Sequence, residues 1–272
     1  MSRKPAKGFE GARLESPPMR KRLDVAASGE ASNDVQDMSL SEQVYRQLRR
    51  DILNGVFAPG QSLRLEMLRQ QYGSSFSPIR EALNRLLSER LVLSTTARGF
   101  RISPLSAEEM WDACETRILI DCEALRRSLG NADDSWEARL VGAYHALTLA
   151  AQRVAAQTAS TDAGLRTDLH EALEARHLDF HQALIAACRS PWLIGLSSQL
   201  YAQTERYRRP ARAGTTAYSS QRSVDEEHRQ LLDAALSRDA VRAGVLLAEH
   251  YRRTAQFIEA VLSDKGYWVS VA

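Results

Sequence analysis

Residues 73–91 read GSSFSPIREALNRLLSERL. Ile79, Leu83, Leu86 and Leu87 recur at i, i+4, i+7 and i+8, which puts them on one face of an α-helix, while Arg80 and Asn84 share another face. Ser75 stands where an N-cap is needed, and Pro78 falls in the first turn, where a missing backbone N–H does least harm. A helix with a polar, cationic first turn, preceded by a short helix and a tight turn, has the layout with which helix-turn-helix proteins enter the major groove. An amphipathic helix with an outward Arg is more often an ordinary solvated helix, so the flanking segments must decide.

Upstream, Ser39 and Glu42 form a capping box, and Val44, Leu48 and Ile52 make a helical stripe that Gly55 can end. VFAPG at 56–60 turns the chain into a second short helix, expected over 63–72, and the third runs from 76 to about 90. LVLSTTARGFRIS then carries two β-prone runs, 91–93 and 100–102, joined through Arg98 and Gly99. That is the pattern of a wing, which presses on the backbone or the minor groove beside a recognition helix. Three helices and a wing predict a winged helix-turn-helix domain over 38–104. Residues 39–104 hold 10 Lys and Arg against 5 Asp and Glu, whereas residues 105–272 hold 19 against 23. The basic surplus lies where a polyanion would meet it, although such a surplus is common on small domains.

The 272 residues allow two domains, and 14 Gly and 8 Pro among abundant Ala, Leu, Arg and Glu favour a mainly α fold. Residues 1–37 lack periodicity and are expected to form a disordered tail, with Arg20, Lys21 and Arg22 either brushing DNA phosphates or simply solvated. No apolar run approaches the roughly 18 residues that cross a bilayer, and the start lacks a signal peptide's apolar core, so no membrane contact and a cytoplasmic location are expected. Cys114, Cys122 and Cys188 form no C-x-x-C and read as buried reduced thiols. From 105 to 265 the pattern is an all-α bundle of six or seven helices, at about 106–129, 133–157, 163–188, 191–208, 217–236 and 239–263. The basic stretch ERYRRPARAG at 205–214 reads as a mobile loop that either gates a cavity or links two helices.

All 6 His lie in this second half. His177 and His181 stand four apart with Phe180, Leu184 and Cys188, His228 shares a face with Leu231 and Leu232, and His250 shares one with Leu247 and Phe257. Four imidazoles aimed into one apolar interior need partners for their ring nitrogens. Either separate hydrogen bonds or one shared divalent metal would provide them. No H-E-x-x-H and no Gly-rich phosphate loop is present, which speaks against an enzyme. The rivals are a metalloenzyme using Glu226 or Glu227 as a base, and a sensor whose signal is the metal itself.

SEQVYRQLRRDILNGVFAPGQSL, SPIREALNRLLSERLV and RGFRISPLS, in this order and spacing, resemble the DNA-binding domain of GntR-family bacterial transcription regulators. The resemblance implies operator contacts at Ser75, Ser77, Arg80, Arg98 and Gly99. The chain departs from the family at Phe76, where Arg is usual, and at Glu66, where a basic residue is frequent. Phe76 either meets a thymine methyl or packs inward, and Arg64 is the candidate replacement charge. The helical half is similar to the FCD-type effector domain of the FadR-like branch, through helix order and through RILIDCEAL and FHQAL. That likeness implies metal ligands at His181, His228 and His250, with His177 where the family most often has Asp.

Three neutral His and one Asp would leave a divalent site at +1, and four His leave it at +2, which asks for an anion. His177 therefore either ligates or stands aside for an anionic effector, with His170 as a substitute and Asp179 pointing elsewhere. Zn is the expected ion, with Ni, Co, Mn and Fe as alternatives. Arg117 matches a cavity-lining Arg of similar domains. It either holds a small carboxylate effector or forms a surface salt bridge with Asp121. The expectation is a ligand-responsive repressor that binds double-stranded operator DNA as a homodimer.

Overall fold

The computed structural model describes residues 38–95, 99–157, 163–212 and 223–268. Arg98, the tail expected at 1–37 with its 20–22 basic cluster, and the expected helix start at 217–222 lie outside the described residues. Helix α1 (Leu40–Leu53) starts at Ser39, whose hydroxyl accepts the Glu42 N–H, and its stripe Val44, Leu48 and Ile52 is buried. Strand β1 (Ser62–Leu63) leads into α2 (Leu65–Tyr72) and, through Gly73, into α3 (Phe76–Ser88). Gly73 takes φ +58, a left-handed conformation that suits glycine and makes the turn between the two helices.

Strands β2 (Val92–Thr95) and β3 (Gly99–Ile102) pair antiparallel, and β1 adds to the outer edge of β3, giving the order β1-β3-β2. The third strand is an addition to the expected hairpin, because two residues show no periodicity. Leu48, Leu68, Ile79, Leu83 and Leu86 close the core of this region. Two expectations need correction, and one of the two alternatives for Phe76 falls away. Leu87 is 36% exposed, and Ala82 fills the buried face instead. Ser75 occupies the N-cap position of α3 without a side-chain capping bond. Phe76 stays 45% exposed and does not pack inward.

Six further helices follow: α4 (Ala107–Asn131), α5 (Asp134–Ala156), α6 (Ala163–Ile185), α7 (Pro191–Arg212), α8 (Val224–Leu236) and α9 (Ala240–Asp264). Ser106, Asp133, Ser223 and Asp239 cap four of them by accepting an N–H three residues on. α4 lies along α7 and α9, and α5 along α6 and α8, around a second core that includes Leu125, Trp136, Phe180, Tyr207 and Leu247. Residues 205–212 are not a loop. They continue α7 past Pro210, and Glu205, Arg206, Tyr207 and Arg208 are buried. Their charges are met from other elements: Arg49 bonds Glu205 at 2.9 Å, Arg206 bonds Glu109 at 2.5 Å, and Arg208 bonds Glu174 at 2.8 Å.

From Ser39 onward the chain is one compact unit with two apolar cores joined by polar contacts. Arg50 of α1 reaches Glu171 of α6 at 2.6 Å, and Gln203 of α7 donates to the backbone oxygen of Glu89, the C-cap of α3. No helix among the described residues is long and apolar enough to cross a membrane.

Candidate metal centre and nucleic-acid interface

Helices α6, α8 and α9 bring His177, His181, His228 and His250 together. All four are buried, and each offers a ring nitrogen within 4.8 Å of the others. The helical i, i+4 spacing places His177 and His181 side by side, with their Nε2 atoms 3.1 Å apart. His170 is exposed and outside this set, so it is not the substitute ligand considered above. Asp179 points away and pairs with Arg176 at 2.8 Å.

The surrounding hydrogen bonds orient the rings. His250 Nδ1 lies 2.8 Å from Glu227 Oε2, so a carboxylate accepts the Nδ1–H. The Tyr251 hydroxyl donates to Asp121 Oδ2 at 2.7 Å and accepts from His181 Nδ1 at 3.2 Å. The Tyr201 hydroxyl donates to Glu174 and accepts from His177 Nδ1 at 3.1 Å. These three contacts place the proton on Nδ1 and turn the Nε2 lone pairs of His177, His181 and His250 into the cluster. Two such lone pairs facing across 3.1 Å repel unless a proton or a cation lies between them, so the donor set suits a divalent ion. Burial, followed by His250, Arg117, His228 and Arg208, pushes the His181 imidazole well below its ordinary range and keeps it neutral, as a ligand must be.

Tyr201, Tyr251, Glu174 and Arg208 carried no sequence signal, because each joins the cluster from another helix or another helix face. Arg117 does form the bridge to Asp121, with Nε 3.0 Å from Oδ2, but the pair is buried at 5% and 3% side-chain exposure and is not a surface contact. Arg117 also donates to the Tyr251 hydroxyl at 2.9 Å. Asp121 Oδ1, fully buried, has no hydrogen-bond partner. Arg117, Arg208, Thr204, Tyr251 and Cys114 line a cavity of about 30 Å³. A larger cavity of about 690 Å³ lies between α1 and helices α6 and α7, where Arg49, Glu89, Glu174, Tyr201 and Glu205 line it.

In the N-terminal region, Ser75, Phe76, Ser77 and Arg80 are all exposed at the N-terminal turn of α3. Arg64 is exposed at the N-cap of α2 and makes no side-chain capping bond. Gly99 opens β3 beside the wing tip, and a Cβ there would meet Thr95 Oγ1 at 2.9 Å. Glu66 is tied to Arg69 at 2.6 Å.

A winged helix-turn-helix presenting a polar recognition turn, fused to an all-α bundle, defines a DNA-binding transcriptional regulator. The chain belongs to the gntR family: "Bacterial regulatory proteins, gntR family" matches residues 40–102 and the FCD domain matches residues 112–253. The HTH-type transcriptional regulator BphR of Paraburkholderia xenovorans is 42% identical over 216 residues, spanning 78% of this chain and 82% of that protein. The HTH-type transcriptional repressor GlaR of Escherichia coli is 29% identical over 220 residues, 80% of this chain and 96% of its own. The solved structure of E. coli McbR/YncC shares the fold at TM-score 0.62 and 21% identity, covering 82% of this chain and 98% of that one.

Proposed function

We propose that the chain is a repressor that binds double-stranded operator DNA as a homodimer, and that a small carboxylate bound beside a divalent metal in the bundle sets its operator affinity. The four buried imidazoles converging within 4.8 Å carry this reading. A bound ion, Zn before Ni, Co, Mn or Fe, supplies positive charge and a coordination position for an oxygen ligand. His177, His181, His228 and His250 would hold it, and Glu227, Tyr251 and Tyr201 fix their rings. GlaR and the E. coli protein RspR, 24% identical to this chain, are both named repressors, which supports the sign of regulation.

The charge balance refines the effector. Asp121, Glu174 and Glu227 are each met by an Arg, Glu227 by Arg253 at 3.5 Å, so these carboxylates are balanced within the protein. Four neutral His around a divalent ion therefore leave the centre at the +2 that the ligands imply, which favours an anionic carboxylate. The cavity beside Arg117 and Arg208 is about the size of one water, so an organic acid entering it must displace side chains of α7. α7 also carries Gln203 and Glu205, which hold the C-cap of α3 and Arg49 of α1. Movement of α7 therefore reaches the DNA-reading region directly. DNA contacts are assigned to Arg64, Ser75, Phe76, Ser77, Arg80, Arg98 and Gly99.

A thermal-shift screen of small carboxylic acids, with and without chelator, tests the effector site. A small carboxylate that binds the centre should raise the melting temperature of metal-loaded protein and lose that effect on chelation. An effect indifferent to chelator would remove the metal from effector binding.

A further inference from the structure

Phe76 stands at the start of the recognition helix, and the structure shows what lies beside it. The guanidinium of Arg69, in the last turn of α2, lies over the Phe76 ring at 5.7 Å from its centroid. Both side chains are open to solvent, Arg69 at 46% and Phe76 at 45%. An Arg from one helix resting on an exposed aromatic of the next puts a cation at the N-terminal turn of α3, next to the exposed Ser75 and Ser77. Arg64, at the opposite end of α2, has no such contact with α3 among the described interactions.

Glu66 completes the arrangement. Its Oε1 accepts from Arg69 Nε at 3.0 Å and from an Arg69 terminal nitrogen at 2.6 Å. One edge of the guanidinium is thereby fixed, and the edge formed by its two terminal nitrogens remains for a second bidentate partner. The O6 and N7 acceptors of guanine in the major groove match that edge. An acidic residue would be a poor choice on a surface that only met phosphates, where it would repel them. It is useful where an Arg must be held in one orientation to read a base.

We propose that Arg69, stacked on Phe76 and held by Glu66, is the guanine-reading residue of this protein, so that the base contact passes from the recognition helix to the helix before it. The three side chains form one reading unit: Glu66 sets the fork, Phe76 is the platform and Arg69 makes the contact. A solvated i, i+3 ion pair would have the same Glu66–Arg69 distance but would leave base preference untouched.

In vitro selection from a randomised duplex pool separates the two, using full-length wild type, Arg69→Ala, Arg69→Lys and Phe76→Ala. Wild type should select a guanine at one position of each half-site. Arg69→Ala should lose preference at that position, keep the rest of the motif and bind the wild-type sequence about tenfold or more weakly. Arg69→Lys should keep part of the affinity and lose the guanine, because an ammonium cannot make the bidentate contact. Phe76→Ala should weaken preference at the same position. If Arg69→Ala selects the wild-type motif unchanged, with equal or uniformly lower affinity, the proposal is overturned. Because Arg69 is exposed, melting temperatures should match wild type, so a changed motif cannot be ascribed to misfolding.

Discussion

Glu227 follows Glu226 and precedes His228 in sequence, yet its carboxylate orients His250, on the next helix, 23 residues away. The four histidines were legible because helical spacing and apolar neighbours mark the face on which each lies. Their partners were not, since Tyr251 reaches His181 across 70 residues and Tyr201 reaches His177 across 24. Residues next to a ligand in a helix point about 100° away from it, so proximity in sequence gave no guide. Glu227→Gln should lower metal affinity about 10- to 100-fold in chelator competition. An unchanged affinity would deny Glu227 its role.

The buried Arg117–Asp121 pair makes a separate prediction. Asp121→Ala leaves a guanidinium buried without its carboxylate and should destabilise the fold by about 3–5 kcal/mol in urea unfolding. A loss under about 1 kcal/mol is what a solvated pair would give. Burial also pushes the Cys114 and Cys122 thiols up to about 11. A folded pKa raised above the ordinary value of about 8.5 contributes stability that is complete below that pH and is lost as pH climbs toward 11. Alkylation of these two thiols should accordingly be slow in folded protein at pH 8 and fast after denaturation, as mass spectrometry would show.

Among the elements, α3 was the most readable: Ile79, Leu83 and Leu86 of its four expected apolar positions are buried, and the turn before it and the hairpin after it agree with the structure. The sequence reading failed at α7. Four arginines, a glutamate and Pro210 within residues 205–212 look like a solvated linker when taken alone. The structure buries several of these charges because carboxylates of α4 and α6 meet Arg206 and Arg208 and Arg49 of α1 meets Glu205, and the helix accommodates Pro210. The two-residue β1 was invisible for the opposite reason, having no pattern to show. On α3, Arg80→Ala should weaken specific DNA binding by about tenfold while leaving the far-UV circular dichroism unchanged. Full retention of affinity would move the DNA contact off the exposed face of this helix.

Across the whole molecule, the basic winged helix and the acidic bundle keep separate apolar cores and meet through Arg49, Arg50 and Gln203. Polar contacts of this kind can rearrange without opening either core, which is compatible with the shift of one region against the other that the proposed function needs. The family membership fixes DNA binding, and in the proposed function the histidine cluster is the place from which that binding is controlled. The direct test is an anisotropy titration of DNA from the gene's own promoter region, at fixed salt, with metal-loaded and chelator-stripped full-length protein, each with and without the stabilising carboxylate. The carboxylate should weaken binding by the metal-loaded protein about tenfold, within the usual range of allosteric coupling, and have no effect on the stripped protein. Equal affinity in all four conditions would contradict the account.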